Sequence, residues 1–144
     1  MTGVSGVTEG PDSAWVSTPA LLHCTEGTTE ARVEWAYFAD TPFTIHVLVA
    51  VDPDTTVSVV FARDLLLCGL RTRVGLGDVQ LGPGLGNARH GSLWLQLRAL
   101  RGVVVLEVPR EPVATFAVAT YDVVAPGFES CHLGLDAELR SLLA

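Results

Sequence analysis

The chain has 144 residues, a net charge of −7 and a hydrophobic fraction of 49%. Such a chain is not disordered, and its length allows a single domain with a substantial core. Its longest purely apolar runs, such as Val47-Leu48-Val49-Ala50-Val51, fall far short of the roughly 20 residues of a membrane helix, so no membrane insertion is expected.

No basic residue precedes Arg32, and the N-terminus lacks the apolar stretch of a signal peptide. A soluble cytoplasmic protein is the expectation. Cys24, Cys68 and Cys131 are far apart and form no C-x-x-C. That usage suits a reducing cytosol and predicts buried, unpaired thiols. All nine basic residues are Arg. Without Lys there can be no Walker A lysine, Schiff-base lysine or lysine general base. Charge is uneven along the chain. Residues 1–62 carry eight acids against Arg32, residues 63–110 carry seven Arg against three acids, and residues 111–144 carry five acids against Arg140. Solvated faces account for this, although a dipolar distribution also favours head-to-tail protein contacts.

In chain order, residues 1–12 are rich in Gly, Thr and Ser and read as a disordered tail ahead of a single domain over 13–144. Trp15 to Cys24 is a first candidate strand. Glu26-Gly27-Thr28-Thr29-Glu30 reads as a loop, and Val33 to Phe38 as a strand broken by Asp40-Thr41-Pro42. Phe43 to Val51 is the clearest strand, with Phe43, Ile45, Val47, Val49 and Val51 on one face. The Asp52-Pro53-Asp54-Thr55 turn returns it through Thr56 to Val60. Ala62 to Cys68 spells two helical turns, with Gly69 placed for a left-handed stop. Glycines from Gly75 to Gly86 punctuate a strand–loop stretch. Leu93 to Arg98 and Val103 to Val108 form a second hairpin across Arg101-Gly102.

Pro109 fits the first position of a long helix, with Glu111 in its first turn and Val113, Phe116, Thr120 and Val123 along one stripe. Pro126-Gly127 ends that helix, and Asp136 opens a last one through Leu143. Strands joined by tight turns, with the helices set apart, predict an α+β fold with a mainly antiparallel sheet.

No catalytic set emerges. The glycine clusters cannot form a phosphate loop, because neither leads from a strand into a helix and no Lys exists. His23-Cys24 and Cys131-His132 offer one zinc ligand per pair, since strand neighbours face opposite ways; no metal and no cofactor are expected. Ser92 follows His90-Gly91 without a G-x-S-x-G elbow. His46, His90 and His132 would be the first residues to test for a small-ligand or hydrolytic domain. The arginines at 63, 71, 73, 89, 98 and 101 raise nucleic-acid binding, but net −7 opposes a phosphate backbone and only Trp94 is near for stacking.

One stretch is more specific. Val59-Val60-Phe61-Ala62-Arg63-Asp64-Leu65-Leu66-Leu67-Cys68-Gly69-Leu70, followed by Gly75-Leu76-Gly77-Asp78-Val79-Gln80-Leu81-Gly82-Pro83, resembles the signature of the SsgA-like proteins, sporulation and cell-division regulators of filamentous actinobacteria. Tyr37 to Phe43, Gly102, Leu106, Glu107, Pro109, Phe116, Thr120, Pro126-Gly127, Glu129, His132 and Asp136 to Leu139 follow the family's order. Val59, Thr41, Ala117-Val118 and Gly134 depart from its usual residues, as a divergent paralogue would. The resemblance implies curved antiparallel sheets similar to the whirly-like fold. It also implies a non-enzymatic adaptor at the division septum, acting on FtsZ, its accessory proteins or SsgA-like paralogues. It further implies a homo-oligomer, with a trimer known in the family. A single-stranded nucleic-acid binder on a whirly-like scaffold is the alternative.

Arg63, Asp64, Gly127 and Glu129 are the expected partner contacts, because polar residues at a helix start and beside a Pro-Gly bend can sit exposed. The structural alternative is a local Arg63–Asp64 ion pair, with Gly127 serving only to stop a helix.

Overall fold

The computed structural model describes residues 6–84, 91–99 and 102–129. Within them the chain forms nine strands and two helices: β1 (Thr8–Glu9), β2 (Ser13–Cys24), β3 (Gly27–Phe38), β4 (Thr44–Asp52), β5 (Thr55–Ala62), α1 (Arg63–Gly69), β6 (Val74–Leu76), β7 (Val79–Pro83), β8 (Ser92–Ala99), β9 (Gly102–Pro109) and α2 (Arg110–Val123). All strands join one sheet in the order β5-β4-β3-β2-β9-β8-β7-β6, with β1 paired to β2. Every pairing is antiparallel.

The sheet curls. Helix α1 touches β4 and β5 near one end of the strand order and β6 and β7 at the other. A flat sheet of that order would hold those strands several 4.8 Å spacings apart, so the two ends must bend toward each other around the helix. Helix α2 lies on the same inner side, against β2, β3 and β8.

The inner face follows the period of two. Ile45, Val47 and Val49 of β4 are buried, as are Leu93, Leu95 and Leu97 of β8. The expected stripe on α2, Val113, Phe116, Thr120 and Val123, is buried throughout. Burying each such apolar side chain contributes roughly 1.5–3 kcal/mol. Trp35 is fully buried as well, and its indole Nε1–H donates to Thr18 Oγ1 at 3.2 Å, which satisfies a polar atom that would otherwise be costly.

The structure corrects several expectations. Within the tail read over 1–12, Thr8–Glu9 pairs with Trp15 and Ala14. The loop read over Glu26–Glu30 belongs largely to β3, because Gly27 at φ +133° lets a tight hairpin close between Cys24 and Gly27. Phe43 precedes β4 and is exposed rather than on its inner face. Pro109 is the N-cap of α2 rather than its first helical residue, so the helix starts one residue later than expected, with φ −65° at Pro109.

Gly69 does not stop α1 in a left-handed conformation. It is helical and buried, and a Cβ there would overlap Leu81 Cδ1 and Cγ. Its role is close approach of α1 to β7. Cys24 and Cys68 are free but exposed, one at a hairpin tip and the other on the outside of α1. The helix read from Asp136, and Cys131, lie outside the described residues.

Candidate functional site

The Arg63 side chain is only 2% exposed. It opens α1 directly after β5, and its backbone N–H donates to Phe43 O at 2.7 Å. From there its guanidinium reaches inward. One Nη donates to Thr120 O at 3.1 Å and to Val124 O at 2.7 Å; the other donates to Glu129 Oε2 at 2.8 Å. Its Cζ lies 4.9 Å from the centre of the Tyr37 ring and 5.3 Å from that of Tyr121.

The carbonyls explain the choice of residue. The last turn of a helix leaves C=O groups without intrahelical donors and carries partial negative charge. Helix α2 has no basic residue in its own last turn. Arg63, more than fifty residues away in sequence, supplies that charge. A guanidinium can serve two carbonyls and a carboxylate at once; a lysine ammonium lacks the planar fork.

Glu129 completes the arrangement. Its second carboxylate oxygen accepts from Gly127 N–H at 2.8 Å, across a Pro126–Gly127 turn in which Gly127 takes φ +89°. The hydrogen bond from Arg63 holds the Glu129 carboxyl below the usual carboxylate range, helped by backbone N–H groups. Tyr37 packs against the same charge and donates its O–H to Pro42 O at 2.8 Å. Burial pushes its phenol up, and the Arg63 charge pulls it partly back. The assembly therefore fastens β3, α1 and the end of α2 through one buried cation.

Of the four expected contact residues, the structure brings Arg63, Gly127 and Glu129 together. The premise that Arg63 is exposed fails, because its polar atoms are consumed by buried carbonyls and Glu129. The local Arg63–Asp64 ion pair is also corrected: Arg63 pairs with Glu129, while Asp64 faces solvent in the first turn of α1. The sequence alone gives Tyr37, Thr120, Val124 and Tyr121 no place in this site. The readable signal was an Arg embedded in an apolar run, in a chain whose long helix ends without a cation.

The other candidates disperse. His46 lies on the outer face, with its ring edge-on to Phe38 at 5.3 Å and Nε2 3.2 Å from Thr41 Oγ1. His23 Nε2 sits 3.3 Å from Glu107 Oε1. His90 and His132 lie outside the described residues. Among the arginines, Arg110 donates to Leu70 O, and Arg73 stacks over Trp94 at 4.4 Å. The outer face of β2 to β5 exposes Trp15, Phe38, Leu48 and Val60. Trp15, Ala36, His46 and Val60 stand in one cross-strand row there.

Comparison with known proteins agrees with this architecture. Residues 31–129 match the family model described as "Streptomyces sporulation and cell division protein, SsgA". The chain is 36% identical over 103 residues to the sporulation-specific cell division protein SsgB of Streptomyces coelicolor, covering 72% of this chain and 74% of that one. It is 34% identical over 137 residues to SsgB of Salinispora tropica, covering 93% and 95%. A solved structure reported with SsgB mutations that correlate to longitudinal cell division during sporulation of Streptomyces coelicolor superposes with a TM-score of 0.75 at 27% identity, over 90% of this chain and 99% of that one. An SsgA-like sporulation-specific cell division protein from Thermobifida fusca shares the fold, with a TM-score of 0.77 over 93% and 98%. The ordered motif series, the curled antiparallel sheet and the matched span agree: the chain belongs to the SsgA-like family of sporulation and cell-division proteins.

Proposed function

We propose that this chain is a non-enzymatic regulator of sporulation-specific cell division. It acts as an adaptor that helps localise or control septum proteins, FtsZ or its accessory factors, on the cytoplasmic side of the division site. The observation that carries this reading is the near full-length similarity to sporulation-specific cell division proteins. The outer sheet face adds physical support. Four large apolar side chains stand exposed on adjacent strands, and clustered exposed apolar groups mark contact surfaces.

Asp64, Gly127 and Glu129 are proposed as partner contacts; the buried Arg63 holds Glu129, and through it Gly127, in place. A homo-oligomer is part of the same reading, with a trimer as the expected form. β5 pairs only with β4 among the described residues, which leaves an edge that a second chain can cover. Light scattering on the purified protein checks the oligomer.

Deleting the gene while imaging fluorescent FtsZ in sporulating cells tests the central reading. Misplaced or missing sporulation rings are expected. Regular rings and normal spore chains would overturn it. Asp64→Arg should weaken capture of division-ring proteins while leaving the denaturation midpoint unchanged.

A further inference from the structure

The outer face carries a groove that the sheet itself opens. Strands β2 and β9 pair only at Leu21–Glu107, Leu22–Leu106 and His23–Val105. Continuing that register would set Ala20 against Val108 and Pro19 against Pro109. Neither proline has an N–H, so no ladder hydrogen bond could be donated from either side of that last pair. The ladder stops at Leu21–Glu107. An open cavity of about 750 Å³ lies there, lined by Pro19, Leu21, Ala50, Val51, Val108 and Pro109 among others.

The charges around it are mostly of one sign. Among the described residues, Glu30, Asp52 and Glu107 line it, against the single cation Arg32. Arg32 is half-buried, and its Nε–H donates to Ser17 Oγ at 3.1 Å. Glu107 also lies beside His23. Leu21, 44% exposed, gives the floor an apolar anchor point. The surrounding half of the molecule is acidic too, since residues 1–62 hold eight acids and one Arg.

We propose that this proline-opened groove is a docking site for an extended, positively charged segment of a partner polypeptide, with an apolar side chain on Leu21 and basic side chains toward Glu30, Asp52 and Glu107. Charge complementarity selects this occupant. The net negative lining repels an acidic segment and a nucleic-acid backbone, and it raises the encounter rate of a basic one. The volume suits one short segment rather than a globular face. This inference rests on the adaptor reading and gives the chemistry of one of its partners.

The test uses the full chain and three fluorescein-labelled octapeptides: alternating Arg and Val, alternating Glu and Val, and alternating Arg and Ser. Fluorescence anisotropy should show binding of the Arg–Val peptide that weakens as salt rises from low to high. The Glu–Val peptide should not bind, and the Arg–Ser peptide should bind several-fold less tightly. Glu30→Gln with Asp52→Asn should reduce Arg–Val affinity about tenfold, the loss of about 1.4 kcal/mol that a tenfold change represents, without moving the denaturation midpoint. Leu21→Ser should reduce it several-fold.

Equal binding of the Glu–Val and Arg–Val peptides would overturn the proposal, as would affinity unchanged by the groove substitutions. So would a groove closed by a second copy, seen as a change of oligomeric state in the double variant with no peptide bound by wild type. Peptide binding reads the groove alone. The deletion phenotype reads the adaptor role, so a failure of either is told apart from a failure of the other.

Discussion

The molecule holds two charged regions that differ in what their charges face. Inside the curl, Arg63 is enclosed and its donors are taken by Thr120 O, Val124 O and Glu129. On the outside, Glu30, Asp52 and Glu107 line an apolar groove that is open to solvent. In the first arrangement the Arg63 guanidinium is fully engaged and serves the fold. The second, among the described residues, presents charge around an apolar surface and is the one proposed to meet a partner. A charged residue in a family motif is therefore not by itself a contact residue; its enclosure decides.

The largest expected effect breaks the inner region. Arg63→Met removes the guanidinium donor from Thr120 O, Val124 O and Glu129 Oε2, leaving Thr120 O its Val124 N–H and Glu129 its Gly127 N–H. Removing one member of a buried ion pair costs about 3–5 kcal/mol, which urea unfolding would show as a lower midpoint. Arg63→Lys should fall between this variant and wild type, since an ammonium keeps the charge but lacks the fork.

Gly69→Ala comes next. Its Cβ would overlap Leu81, and overpacking at such a contact costs about 1–3 kcal/mol. A larger loss in Gly69→Val than in Gly69→Ala, measured by thermal unfolding, would confirm a steric cause.

A smaller effect is pH-dependent. The folded Glu129 carboxyl sits below its ordinary value, so it contributes stability above the unfolded carboxylate pKa. That contribution is lost as pH falls through the lowered folded value. The stability difference between wild type and Glu129→Gln should be full at neutral pH and shrink on acidification below about pH 4.3, the ordinary glutamate value. A difference independent of pH would deny the ion pair.

The smallest effects belong to the outer region. Glu30→Gln and Asp52→Asn should each leave stability within about 0.5 kcal/mol, as exposed substitutions do, while changing recognition of basic segments. Equal stability losses at inner and outer sites would erase the contrast between the two regions.

Much of the fold was legible because the period of two is strong in β4 and β8 and the helical stripe is strong in α2. The β2–β3 hairpin was harder. Glu26, Gly27 and Thr28 have loop composition, and the long ladder overrides their local preference. Gly69 stands out in the sequence as a helix stop, whereas its place in the fold depends on close approach to Leu81. Sequence shows that a side chain is missing, not whether a left-handed φ or a close neighbour requires its absence.

The site was legible only in its membership. Sequence reasoning selects Arg63, Gly127 and Glu129, and they do meet. Their arrangement was not readable, because the partner of Arg63 is the C-terminal end of a helix that begins 47 residues later. The groove was invisible for a related reason. Pro19 and Pro109 matter only once the β2–β9 register sets them opposite each other.

A double-mutant cycle on Arg63 and Glu129 tests the inner account most directly. Urea unfolding of wild type, Arg63→Met, Glu129→Gln and the double variant should give a coupling energy of about 0.5–3 kcal/mol, as residues in one ion-pair network do. Strictly additive losses would show that the two side chains do not act together, and the buried fastening would be contradicted.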